Sequence, residues 1–146
     1  MKTYQLFDAG VNARPRGGDK DDCTVRALAV ARGISYHDAW ALLYAIQGEM
    51  RFCHFPLVEA LRARDARLGV VEQLDFPAVR GRRRMTGLEF VTAHRRGRFI
   101  LRLAHHVVAV KRGVVYDTFD STNGCVYTAW RVQPIIGDFA HFDDLE

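Results

Sequence analysis

Hydrophobic residues recur at helical spacing through much of the chain up to residue 95. Four segments show this pattern and are predicted as helices, at residues 23–32, 36–47, 56–66 and 86–95. Ser35 and Thr86 are each followed three residues later by an acidic residue, as in a capping box, and they predict the starts of the second and fourth helices. Gly33 and Gly48 follow the first two helices, and glycine commonly ends helices in a left-handed conformation.

Beyond residue 97 the pattern changes to runs of β-branched and aromatic residues. These runs predict strands at residues 98–103, 106–110, 114–119 and 125–132. The short segment from Lys111 to Gly113 joins the second and third runs and predicts a β-hairpin. Because helices precede strands, the sequence predicts an α+β fold in which N-terminal helices pack on a C-terminal, mostly antiparallel sheet. No internal repeat or linker interrupts the chain, so one domain is predicted over residues 1–146, with its core at about residues 18–132.

Composition narrows the class of protein. The chain has 146 residues, of which 49% are hydrophobic and 26% charged, and this length can bury a core without disulfides. Three cysteines are an odd number and too few for a disulfide framework, which favours a reducing compartment. The first residues form no signal peptide, and no segment approaches the roughly 18 apolar residues of a membrane span. The sequence therefore predicts a cytoplasmic protein with no membrane contact.

Cys23 is distinguished from the other cysteines by its place in the first turn of a predicted helix. The positive end of the helix dipole and the unpaired N–H groups favour a thiolate there, and the same groups can bind an oxyanion. Asp22 is a predicted N-cap of this helix, and with Asp19 and Asp21 it partly opposes thiolate formation. The alternative is that Cys23 is a small buried hydrophobic residue.

A partner for this thiol must come from a distant part of the chain. His105 and His106 open an apolar strand on opposite faces, so one of them can point toward a given site. The predicted hairpin returns past Asp117 and Asp120, and a carboxylate there could orient the imidazole of His106. The strand register is not determined by the sequence, so either Asp117 or Asp120 could be the carboxylate that orients His106. Both could instead be turn caps.

The order of these residues resembles that of papain-like cysteine peptidases, in which Cys, His and Asp or Asn follow one another in the chain. The segment 117–119, Asp-Thr-Phe, resembles the Asn-Ser-Trp signature of that family. More closely, residues 22–28 and the hairpin that begins at His106 resemble small papain-like proteins of bacteriophages and bacteria. Those proteins pair an Asp-Cys-x-x-Arg-Ala helix start with a His-x-x-Ala-Val and Gly-Val-Val-x-Asp-Thr hairpin, and the likeness extends over residues 18–131.

The resemblance implies a papain-like fold and a cysteine hydrolase that cleaves a peptide, isopeptide or related amide through an acyl-enzyme. It implies that Cys23 is the nucleophile, that His106 is the general base and later acid, and that Asp117 orients His106. A protein or peptide would be the substrate, in the cytoplasm of a bacterial host, and the protein itself would be bacterial or phage-encoded. No cofactor is implied.

Papain-like enzymes usually carry a glutamine just before the cysteine as an oxyanion donor, and this chain departs from that pattern. Gly17, Gly18 and Lys20 occupy the corresponding region. The oxyanion hole would then use the Cys23 backbone N–H and a second donor. Three residues are candidates for that donor or for an orienting role: Asn12, Asp22 and Asp120.

Two clusters of arginine give the sequence an alternative function. Seven arginines lie between Arg80 and Arg98, and the candidate binding face consists of Arg82, Arg83, Arg84, Arg95 and Arg96. Such a face could hold nucleic acid non-specifically or bind an acidic protein, which would make the chain a non-catalytic papain-like binding module. A solvated surface flanking a helix is the simpler explanation.

The remaining cysteines and glycines predict neither a metal site nor a cofactor site. Cys53 stands beside His54, but one such pair is not a metal site, and no CxxC or HExxH spacing occurs. No glycine-rich phosphate loop is present. Cys125 falls in a predicted strand and is expected to pack in the core.

Overall fold

The computed structural model describes residues 1–7, 22–48 and 54–135, and within them the chain is a mixed α+β protein. The helices are α1 (Cys23–Arg32), α2 (Tyr36–Gln47), α3 (His54–Arg62) and α4 (Gly87–Ala93). The strands are β1 (Tyr4–Leu6), β2 (Val70–Asp75), β3 (Arg98–Leu103), β4 (His106–Lys111), β5 (Val114–Asp117) and β6 (Thr128–Val132). The six strands form one sheet in the order β1-β5-β4-β3-β6-β2.

The predicted caps at Ser35 and Thr86 form at the starts of α2 and α4. The Ser35 hydroxyl accepts a hydrogen bond from the Asp38 N–H at 3.0 Å, and Thr86 and Glu89 form both bonds of a capping box. Helix α3 ends four residues earlier than predicted. Arg64 there takes a left-handed conformation, with φ of 53°, and closes the helix as glycine usually does. The sequence carried no signal for this end because the left-handed residue is an arginine.

The sheet is mostly antiparallel, as predicted, but one edge pair is parallel, and the two edge strands do not follow all the helices as predicted. Strands β2 to β6 pair antiparallel, but β1 precedes all helices and runs parallel to β5, with Leu6 paired to Asp117. The sequence did not predict β1, because three residues are too few for a recognisable strand pattern. It also did not predict β2, which lies at the other edge and is partly exposed.

Helices cover both faces of the sheet. Helix α1 packs on one face of the sheet, α2 and α3 pack against α1, and Leu28, Leu43 and Ile100 belong to one core cluster on that side. Helix α4 packs on the other face, where Phe90 and Leu101 belong to a second core cluster, so the neighbouring residues Ile100 and Leu101 of β3 belong to opposite cores. Helix α1 lies mainly against β4, the strand that begins at His106. No helix in the described ranges has the length and apolar character needed to cross a membrane.

Candidate active site

The β4–β5 hairpin brings His106 and Asp117 together. Its register pairs Val110 with Val115. Continued toward the open end of the hairpin, that register places Asp117 opposite Val108 and so diagonal to His106, a position from which long side chains meet. The His106 Nε2 and the Asp117 Oδ2 are 2.6 Å apart. The side chains are 16% and 2% exposed, respectively, so this contact is shielded from water.

The Asp117 carboxylate is held by several donors. Its Oδ2 also accepts a hydrogen bond from the Ser121 hydroxyl at 2.8 Å, and its Oδ1 accepts from the Thr118 N–H at 2.7 Å. Its main-chain carbonyl accepts from the Phe7 N–H at 2.8 Å, which ties the residue to the end of β1. Burial by itself raises the pKa of Asp117, but its bond to His106 and the charge of that ring outweigh burial and lower it. Asp117 is therefore an anion in a fixed orientation.

Asp120, the other carboxylate that the sequence left open, has a different role. Its side chain is exposed, and its Oδ1 accepts hydrogen bonds from the Thr122 N–H at 3.0 Å and the Thr122 hydroxyl at 2.6 Å. These bonds lower the pKa of Asp120. Asp120 is a turn cap and is not the carboxylate that orients His106.

Cys23 is the first residue of α1, and its thiol is half-buried against the helical core. Burial lowers the pKa of His106, but hydrogen bonds to Asp117 and Cys23, with the negative charges of both, outweigh burial and raise it to about 9. Because Nε2 of His106 is bound to Asp117, Nδ1 is the ring nitrogen left for the sulfur. The structure thus brings together Cys23, His106 and Asp117, with the imidazole in the middle.

Phe119 covers one side of the imidazole. Its ring stacks on that of His106, with centroids 5.3 Å apart and planes at 30°, although Phe119 is 55% exposed. The continued hairpin register puts Phe119 opposite His106, so a fixed register could have identified this contact from the sequence. Ser121 offered no such signal, because a turn brings it to Asp117. His105, the alternative histidine, is exposed and has a left-handed backbone in the turn before β4.

Asp22 does not cap α1 with its side chain, contrary to the prediction. The residue stands at the N-cap position, but its buried carboxylate makes no capping bond. It forms an ion pair with Arg26, one turn along the helix, and accepts a hydrogen bond from the Tyr36 hydroxyl at 2.8 Å. An ionised carboxylate only accepts hydrogen bonds, so Asp22 cannot be an oxyanion donor.

The main-chain N–H of Cys23 stays a candidate oxyanion donor, because Cys23 opens α1 and the first N–H groups of a helix have no partner within the helix. Asn12, the other candidate for this role, lies outside the described residues, and so does Cys53. Cys125 is exposed and forms an isolated β-bridge with Thr86, so the prediction that it packs in the core is wrong. It precedes β6, which starts three residues later than predicted.

The arginines predicted to form one face divide into two groups. Arg82, Arg83 and Arg84 precede α4. Arg82 is exposed, Arg83 pairs with Glu89, and Arg84 donates to the Phe76 carbonyl at 3.1 Å. The guanidinium groups of Arg83 and Arg84 are thus tied to the first turn of α4 and to the residue that follows β2.

The second arginine group follows α4. Arg95 donates to the Gly113 carbonyl at 3.1 Å, in the turn of the β4–β5 hairpin, and Arg96 is exposed. Arg98 is buried and donates to the Val30 carbonyl at 2.6 Å, so it belongs to the interior. Helix α4 has seven residues and separates the two groups by about 10 Å of helix.

Within residues 1–7, 22–48 and 54–135, no group of three or more His, Cys, Asp and Glu side chains could hold a metal ion. Comparisons of the chain with models of protein families, with curated proteins and with solved structures found no match.

Proposed function

We propose that this chain is a cysteine hydrolase of papain-like architecture that cleaves a peptide, isopeptide or related amide bond. The observation that carries the proposal is the position of His106, between the thiol of Cys23 and the buried carboxylate of Asp117. A nucleophile, a base in contact with it and a third group that orients the base are the parts that nucleophilic amide hydrolysis requires. No cofactor is needed for this chemistry.

In the first half of the proposed reaction, the Cys23 sulfur attacks the carbonyl carbon of the substrate and a C–S bond forms. The main-chain N–H of Cys23, at the positive end of α1, donates to the oxyanion of the tetrahedral intermediate. The protonated His106 then gives its proton to the leaving nitrogen, and the C–N bond breaks. A pKa of about 9 for His106 keeps the ring protonated and ready for this step at neutral pH.

In the second half, water attacks the thioester. His106, now neutral, accepts a proton from that water, and the C–S bond breaks to release the carboxylic acid and restore the Cys23 thiolate beside the protonated His106. Asp117 holds the ring in one orientation throughout and stabilises its charged form. The stacked ring of Phe119 keeps water from one face of the imidazole. We propose that the substrate is a protein or peptide and that the reaction takes place in the cytoplasm of a bacterial host.

The proposal is tested by alkylating the native protein with substoichiometric iodoacetamide at pH 7 and mapping the three cysteines by mass spectrometry. We expect Cys23 to be labelled first, at least about tenfold faster than Cys125, because a paired imidazolium favours the thiolate. His106→Ala should remove this preference, and the neighbouring His105→Ala is the matched control that should keep it. Equal labelling of all cysteines in the wild-type protein would contradict the proposal.

Acyl transfer is tested separately with p-nitrophenyl acetate. The wild-type protein should release a burst of nitrophenolate that approaches one equivalent and then turn over, and Cys23→Ser should abolish the burst. A burst that persists in Cys23→Ser would place the reaction on another residue.

A further inference from the structure

We propose that Arg26 and Tyr36 are positioning residues for the Cys23 site, acting through Asp22. This proposal rests on the proposed function. It explains why the Asp22 carboxylate is tolerated directly before the nucleophile Cys23. Asp22, Arg26 and Tyr36 are 1%, 9% and 5% exposed, respectively, so their contacts are made inside the protein. None of the three takes part in the proposed reaction itself.

An aspartate at the start of a helix ordinarily bends back and accepts hydrogen bonds from the N–H groups of the first turn. At Asp22 such a bond would go to the N–H of Thr24 or Val25 and would place a negative charge beside the oxyanion that the Cys23 N–H is proposed to bind. The structure shows no capping bond from this side chain. The carboxylate is held instead by Arg26 from the next turn of α1 and by the Tyr36 hydroxyl from the start of α2. These contacts keep the carboxylate away from the first-turn N–H groups.

The contact between Arg26 and Asp22 also balances the negative charge of the Asp22 carboxylate. A negative charge one residue from Cys23 disfavours a thiolate, and the guanidinium of Arg26 offsets it. In the described residues, Tyr36 of α2 contacts Asp22, His106 of β4 contacts Cys23, Asp117 of β5 lies behind His106, and Tyr116 of β5 packs on the same core cluster as Cys23. The charges of His106 and Asp117 reach the Cys23 thiol from the sheet, and those of the Asp22–Arg26 ion pair reach it from α1.

The test measures the rate of Cys23 alkylation from pH 5 to pH 10 in three variants. Arg26→Met removes the guanidinium that pairs with the Asp22 carboxylate, and the pH of half-maximal rate should rise by about one unit. Tyr36→Phe removes one hydrogen-bond donor to Asp22 and should raise the pH of half-maximal rate by a smaller amount. Asp22→Asn/Arg26→Met removes both charges and should return the profile to that of the wild type. Arg98→Met is the matched control, since Arg98 is a buried arginine bound to the other end of α1.

An unchanged profile in Arg26→Met or in Tyr36→Phe would overturn the proposal. Equal slowing in Arg26→Met and in the double variant would also overturn it, because the pair would then only support the local fold. If Arg26→Met fails to fold, Tyr36→Phe and the double variant decide the question. In each of these cases the proposed function stands as long as wild-type labelling still prefers Cys23 and depends on His106, so the two proposals can fail separately.

Discussion

The charged residues around His106 and those on either side of α4 differ in how the fold holds them. Asp117 is buried, and its carboxylate accepts hydrogen bonds from three residues that lie on β4 and in the segment after β5. Arg82 and Arg96 are exposed at opposite ends of a short helix. Burial makes a charge depend on its partners, whereas water can replace the partners of an exposed charge. Substitutions in the two regions should therefore differ in effect by several kcal/mol.

The largest loss of unfolding free energy is expected from Asp117→Ala. This change leaves the His106 imidazolium and the Ser121 hydroxyl without their acceptor in a shielded place, and breaking a buried pair in this way costs about 3–5 kcal/mol. Urea unfolding at pH 7 measures this loss, and Cys23 labelling should lose its preference in the same variant.

Asp120→Ala is the matched control for that experiment, since it removes a carboxylate three residues away that binds only within its turn. It should cost about 1 kcal/mol or less and leave labelling unchanged. Equal losses in the two variants would mean that the Asp117 network is no more important than a turn cap.

These two carboxylates also show what the sequence could and could not predict. The hairpin was predictable from two apolar runs around Lys111 to Gly113, and it brought Asp117 and Asp120 within reach of His106. Choosing between them needed the register, which depends on the conformation of the turn and on tertiary packing. The residue order Cys23, His106 and Asp117 was readable from the sequence, whereas their contacts required the packing of α1 against β4.

The features that sequence reasoning missed depend on tertiary contacts. Strand β1 is too short to show a pattern, and it exists because β5 offers it a partner; through Phe7 it supports the backbone of Asp117. Asp22 had the composition of an N-cap, but Arg26 and Tyr36 bind its carboxylate more favourably than the helix N–H groups do. Local propensity is overridden where distant side chains meet in the interior.

The next largest effect is a dependence of stability on pH that arises at His106. The pKa of His106 is raised to about 9 from an ordinary value of 6.5, so its contribution to stability is complete below pH 6.5 and is lost as the pH rises through 9. The loss is on the order of 3 kcal/mol. The pKa of Asp117 is lowered, so its contribution is present above pH 3.8 and is lost as the pH falls.

Urea unfolding of the wild type and of His106→Gln at pH 6 and at pH 9.5 isolates the contribution of His106. The difference in unfolding free energy between the two proteins should shrink at the higher pH, and His105→Gln should show no such trend. A difference that is the same at both pH values would show that His106 is not charged in the folded protein.

The smallest effects are expected from substitutions of the exposed arginines Arg82 and Arg96, and they concern the binding of a polyanion. The two groups are separated by about 10 Å of helix, which is close to the Debye length at 0.1 M salt, so they should act on a polyanion independently. For a short DNA duplex, Arg82→Gln and Arg96→Gln should each reduce the slope of log Kd against log salt by about 0.9 or less, and the double variant should show the sum. Neither change should alter Cys23 labelling. A slope that neither single variant nor the double variant changes would show that neither group contacts the duplex, and it would contradict the alternative of a binding module.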